Sequence, residues 1–105
     1  IEFEVAGDET SISNLMASPN PFRRETDIVF NVTVPAEATA KIFTLSGRLV
    51  RELSASVSPA LGVIHWDGRD KHGEPVANGA YIVKVEIRDS DGETASELAK
   101  IARLE

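Results

Sequence analysis

The chain has 105 residues, 42% of them hydrophobic and 27% charged; the length argues for one domain and the composition for a chain that can bury a core. Its 17 acidic residues outnumber its 11 basic ones, and the resulting net charge of -6 repels phosphate backbones and excludes nucleic acid as a favoured partner. The absence of cysteine removes disulfides, thiolate nucleophiles and Cys-based metal centres, and charged residues interrupt every apolar run well short of the ~18 residues that membrane insertion requires.

Ile1 to Val5 alternate apolar and acidic residues, which fits a half-buried strand or the tail of a preceding domain. With no initiating methionine and no signal-like segment, the chain reads as a piece of a longer polypeptide, residues 1–13 forming a linker or tail and 14–105 the module. Pro19-Asn20-Pro21 fixes two φ angles and lacks two amide donors, so no helix passes through it. The compact unit is expected to begin there.

From Asp27 to Val34 the apolar residues Ile28, Phe30, Val32 and Val34 fall at every second position, the period of a strand with one buried face. A second strand is expected over 38–45 and a third over 49–53, joined by a Ser46-Gly47 turn. Residues 54–61, small, polar and broken by Pro59, read as a mobile loop or a crossover between sheets. Val63 to Trp66 is the next strand, followed by an ordered turn from Asp67 to Gly79 rich in Gly and Asp. Tyr81, Val83, Val85 and Ile87 mark a strand over 80–88, which Asp91-Gly92 joins to a last strand over 94–104. About seven short strands separated by turn chemistry predict an all-β antiparallel sandwich. Its expected core is Ile28, Phe30, Val32, Ile42, Val50, Leu53, Ile64, Trp66, Tyr81, Val83 and Val85.

Candidate chemical sites are weak. His65 and His72 with Asp67 and Asp70 suggest a metal site only on paper, because His65 alternates with the apolar Ile64 and Trp66 and therefore faces solvent. Asp89 to Glu93 resembles part of a calcium loop but lacks its length and terminal bidentate Glu, so a plain Asp-Gly hairpin tip is preferred. No Ser stands in a G-x-S-x-G turn. Trp66 and Tyr81 fall on the inward phase of their strands, which favours core packing over a sugar-stacking platform. Arg23-Arg24 reads as a charged edge that discourages edge-to-edge pairing. Neither a catalytic residue nor a cofactor site is expected.

Four stretches taken in order carry a family resemblance: Ser18-Pro19-Asn20-Pro21-Phe22; Ile42 to Val50 (IFTLSGRLV); Trp66-Asp67-Gly68-Arg69-Asp70 with Gly73, Pro75 and Val76; and Asn78-Gly79-Ala80-Tyr81. Together they resemble the FlgD-type immunoglobulin-like domain and are similar to the type A C-terminal sorting domains of the type IX secretion system. The resemblance implies an Ig-like β-sandwich of about seven strands at or near the C-terminus of a larger exported bacterial protein. It further implies a non-catalytic role in secretion, sorting or surface anchoring. The alternatives are a structural spacer or assembly domain, as in flagellar hook capping, and a carbohydrate-binding accessory module.

On this resemblance the recognition residues are Pro19, Asn20, Pro21, Gly79, Tyr81, Lys100 and Arg103, with Trp66, Asp67, Gly68, Asp70 and Gly73 as a structural motif. The partners would be secretion machinery or neighbouring domains of the parent protein, and the location would be the cell surface or the medium, reached through the periplasm. Recognition would use an exposed sheet edge and the terminal strand, by strand addition.

Overall fold

A computed structural model describes residues 9–105; the alternating segment 1–5 lies outside them. Seven strands follow in order, β1 (Ile12–Ser18), β2 (Thr26–Val32), β3 (Ala36–Thr44), β4 (Leu49–Val57), β5 (Leu61–Trp66), β6 (Gly79–Arg88) and β7 (Thr94–Arg103). They form two antiparallel sheets, β1-β2-β5 and β4-β3-β6-β7, with no helix among the described residues. The chain crosses between the sheets after β2, β4 and β5, as an Ig-like sandwich requires.

Period-2 patterning places the core. On β2 the residues Thr26, Ile28, Phe30 and Val32 are buried, and on β6 so are Tyr81, Val83, Val85 and Ile87. Ala38, Ala40 and Ile42 of β3 face the same interior. Gly62 lies opposite Phe30 in the ladder, where a Cβ would stand 2.5 Å from the Phe30 ring. A residue without a side chain is needed there to admit the ring. The two hairpin tips are glycine-dependent as expected: Gly47 and Gly92 have φ of 96° and 87°.

Three expectations are corrected. The folded unit begins before Pro19, because β1 contributes Ile12 and Ala17 to the core. Asn14 has φ 56° and the β1–β2 register shifts between Ser13 and Met16, so the bulge brings two residues an odd distance apart onto one face. That broken alternation hid the strand. The supposed loop 54–61 is strand as far as Val57, since Ser54, Ala55, Ser56 and Val57 pair with Thr39, Ala38, Glu37 and Ala36; only residues 58–60 cross between sheets. Leu53 is half-buried, packing against the core from an edge strand rather than within it.

His65 faces solvent as its alternation requires. It lies opposite Asp27 in the ladder, its Nδ1 2.8 Å from Asp27 Oδ1 and its Nε2 2.8 Å from Glu25 Oε1. The hydrogen bond to Asp27 raises its pKa above the ordinary 6.5. A raised folded-state value means that the stabilisation is complete below pH 6.5 and disappears as pH rises through the higher folded value. Thermal melts of the protein and its His65→Ala variant should therefore differ most at mildly acidic pH and converge on the alkaline side. A difference that grows with pH would contradict the pairing.

Candidate functional site

The motif stretches of the sequence meet at one end of the sandwich. Leaving β1, the chain turns through Pro19-Asn20-Pro21, where Thr26 Oγ1 donates to the Pro19 carbonyl at 2.7 Å. Two prolines leave few amides to pair, and the Asn20 side chain replaces them. Its Nδ2 donates to the Lys100 carbonyl at 3.2 Å, while its Oδ1 accepts the Ala102 amide at 3.1 Å. The carboxamide thus behaves as a peptide unit laid along the outer edge of β7. Phe22 continues the pairing: its amide donates to the Ala102 carbonyl and its carbonyl accepts the Leu104 amide, both at 2.9 Å. Residues 20–22 form a short parallel cover on the last strand.

The other edge of the same strand is closed by β6, with Gly79 opposite Arg103 and Tyr81 opposite Ile101. Beyond the ladder Asn78 repeats the device of Asn20. Its Nδ2 donates to the Glu105 carbonyl at 3.0 Å and its Oδ1 accepts the Glu105 amide at 3.1 Å. Arg103 ties the covers together, Nε donating to the Arg23 carbonyl at 2.7 Å and Nη1 to the Val76 carbonyl at 2.6 Å, with Glu105 as ion-pair partner.

Beneath this latch lies an aromatic cluster. Phe22 and Trp66 are fully buried with ring centroids 5.1 Å apart, and Trp66 meets Tyr81 edge-on at 6.3 Å. The polar tips are satisfied: Trp66 Nε1 donates to the Arg69 carbonyl at 3.0 Å, and the Tyr81 hydroxyl donates to the Ala77 carbonyl at 2.6 Å. The latter resembles the tyrosine corner of immunoglobulin-type sandwiches. Burial pushes the Tyr81 phenol above its usual pKa. Neither ring is free to stack on a sugar.

The Asp67–Gly79 turn carries the structural motif. Asp67 Oδ1 accepts the Arg69 amide and Arg51 Nη1, both at 3.0 Å. Asp70 Oδ1 accepts the amides of His72 at 2.8 Å and Glu74 at 3.0 Å, which hold its carboxyl below the usual carboxylate range. Asp89 plays the same part at the β6–β7 tip, accepting the amides of Asp91 and Glu93 at 2.9 Å. Each of these carboxylates accepts backbone amides of its own turn, as Asp side chains in turns commonly do. Gly68 and Gly73 adopt φ of 75° and 85°. Gly68 is pressed against the Arg24 carbonyl, and its own carbonyl accepts the Val76 amide at 2.9 Å.

Pro19, Asn20, Pro21, Gly79, Tyr81, Lys100 and Arg103 therefore lie within one hydrogen-bonded unit, with Trp66, Asp67, Gly68, Asp70 and Gly73 supporting it. One expectation changes, and one expected recognition residue is largely covered. Arg103 is not a free surface side chain, because its guanidinium is sequestered by two carbonyls and only 13% of the side chain is exposed. The outer edge of residues 100–104 is also not open to strand addition, since Asn20 and Phe22 already occupy it. Thr26, Asn78 and Val76 were absent from the expected site. Asn78 had a signal in standing directly before the Gly79-Ala80-Tyr81 stretch.

This architecture recurs in solved structures. A domain of latent PorU from Porphyromonas gingivalis superposes with a TM-score of 0.74 at 20% identity, over 86% of this chain and 9% of PorU. FlgD from Xanthomonas campestris gives 0.67 at 24% identity, over 89% of this chain and 67% of FlgD. PorZ, a surface component of the type IX secretion system of Porphyromonas gingivalis, gives 0.58 at 24% identity, over 88% of this chain and 12% of PorZ. The chain thus spans a small part of the Por proteins and about two thirds of FlgD, and at these identities the likeness is one of fold. No curated protein matches the sequence. The family model of the FlgD Ig-like domain matches residues 20–91, from the Asn20 clamp to the β6–β7 tip, and the chain belongs to that family.

Proposed function

We propose that this domain is a non-catalytic module of a larger exported bacterial protein, acting in its secretion and sorting by type IX machinery or in its anchoring at the cell surface. The observation that carries the reading is the convergence of the Pro-Asn-Pro turn, the Gly-x-Tyr strand and the Lys-bearing last strand in one latch. Occurrence of the fold as a small part of PorU and PorZ supports it. Because the backbone of 100–104 is already paired, recognition would read the outer surface of the latch, where Pro19, Pro21 and Lys100 are exposed. Secretion machinery or neighbouring domains of the parent would be the partners, and the destination is the cell surface or the medium, reached through the periplasm.

A spacer or assembly role is the second reading, and one observation favours it. Thr33 Oγ1 donates to the Glu9 carbonyl at one end of the sandwich, whereas Glu105 pairs with Asn78 at the other. A chain that enters and leaves at opposite poles extends a multidomain protein instead of folding back on it. Fusing residues 9–105 after a folded reporter in a bacterium with type IX machinery separates the two. Export of the reporter, reduced by Lys100→Ala without loss of folding, supports the first; a folded fusion retained in the periplasm overturns it and leaves the spacer role. Arg103→Ala is unsuitable here because it disrupts the latch itself.

A further inference from the structure

We propose that the outer face of the four-stranded sheet is a docking surface for an extended acidic segment of a partner protein, whose carboxylate seats between Lys41 and Lys84 while a neighbouring apolar side chain packs on Phe43 and Ile82. The inference is separable from the export reading, since Lys41, Phe43, Ile82 and Lys84 lie on the sheet face outside the latch, and Lys100 alone is shared with it.

Lys41 and Lys84 stand directly opposite each other across β3 and β6. Like charges at opposed positions of a sheet destabilise it. Three of the chain's four lysines, Lys41, Lys84 and Lys100, point to this face in a protein of net charge -6. Glu52 lies opposite Lys41 and Glu86 two positions from Lys84, yet neither forms an ion pair with these lysines among the described residues. Between Thr39, Lys41, Lys84 and Glu86 is a depression of about 30 Å³. A water molecule needs about 10–15 Å³ of such space, so the depression has room for a carboxylate oxygen.

The adjoining row gives the site its second component. Leu49, Phe43 and Ile82 lie side by side across β4, β3 and β6, half-exposed on the solvent side, and Lys100 ends the row on β7. Apolar side chains beside two opposed ammonium groups that form no ion pair among the described residues fit a strand or loop that alternates acidic and apolar residues. An anionic bilayer fits less well. Glu37, Glu52 and Glu86 share the face, and a flat anionic surface would meet them as well as the lysines, whereas a single segment can place its carboxylate between the lysines alone.

The test uses the 105-residue chain and a fluorescein-labelled peptide alternating Leu and Glu, with a Leu/Lys counterpart and phosphatidylglycerol vesicles as rival probes. At low ionic strength the Leu/Glu peptide should bind and shift the amide resonances of Lys41, Phe43, Ile82 and Lys84. Lys84→Glu should weaken binding by about tenfold or more, yet leave the melting temperature unchanged or higher because an opposed like-charge pair has become an opposite-charge pair. Lys71→Glu makes the same change in net charge away from this face and should bind as the parent does. Resonance shifts elsewhere, equal binding of the Leu/Lys peptide, equal losses in the two variants, or vesicle binding in the absence of peptide binding would each overturn the proposal.

Discussion

Trp66→Ala should lower the stability of the domain by about 3–5 kcal/mol, the range for emptying a large aromatic site. The indole is fully buried between Phe22 and Tyr81, so its removal leaves a void that neither ring fills by a simple rotation. It also strips the Arg69 carbonyl of its Nε1 donor. Against a total stability of about 5–15 kcal/mol for a typical domain, this is a large fraction. Trp66→Phe should cost less, since it keeps part of the apolar contact while losing the hydrogen bond and the volume of the fused ring. Chemical denaturation followed by circular dichroism measures both, and an unchanged midpoint for Trp66→Ala would show that the ring is not a core element.

The second large effect is expected at Gly68. Its φ of 75° is unfavourable for any residue with a side chain, and a Cβ there would stand 2.2 Å from the Arg24 carbonyl oxygen and 3.2 Å from the Phe22 ring. Left-handed backbone strain alone costs about 1–3 kcal/mol. The contact adds to it, because the obstructing oxygen is backbone and moving it displaces Phe22 from β7. Gly73 is the internal control: its φ is 85°, yet nothing lies within 4 Å of a Cβ built on it. Gly68→Ala should therefore destabilise well beyond Gly73→Ala, and equal midpoints would contradict the close approach of the Asp67–Gly79 turn to the segment after Pro21.

Most of this fold was legible because most of its strands alternate cleanly. Tyr81 to Ile87 and Ile28 to Val32 announce both their conformation and their buried face. β1 was illegible for a definite reason, since a left-handed Asn14 shifts its register and no even spacing connects Ile12 to Ala17. The end of β4 was obscured by small residues, Ser54, Ala55 and Ser56, whose own strand preference is weak; they are held in place by the register of β3.

At the candidate site, the sequence motifs identified the right residues and not their roles. Nothing local in Pro-Asn-Pro says that the Asn20 carboxamide will act as a peptide for residues about 80 positions later in the chain. Nor does the spacing of Arg103 reveal that its guanidinium reaches two carbonyls from different segments. Such contacts are long-range, and only the assembled sandwich brings the groups together.

If residues 20–22 hold the last strand closed, the amides of Ala102 and Leu104 are bonded in the folded protein to Asn20 Oδ1 and the Phe22 carbonyl. Residue-resolved hydrogen exchange reads this directly. Both amides should be protected in the parent protein, and Asn20→Ala should accelerate exchange at Ala102 by at least about tenfold while the central amides of β3 and β6 keep their rates. Exchange of Ala102 at free-peptide rates in the parent, or an Asn20→Ala variant with unaltered exchange there, would contradict the latch.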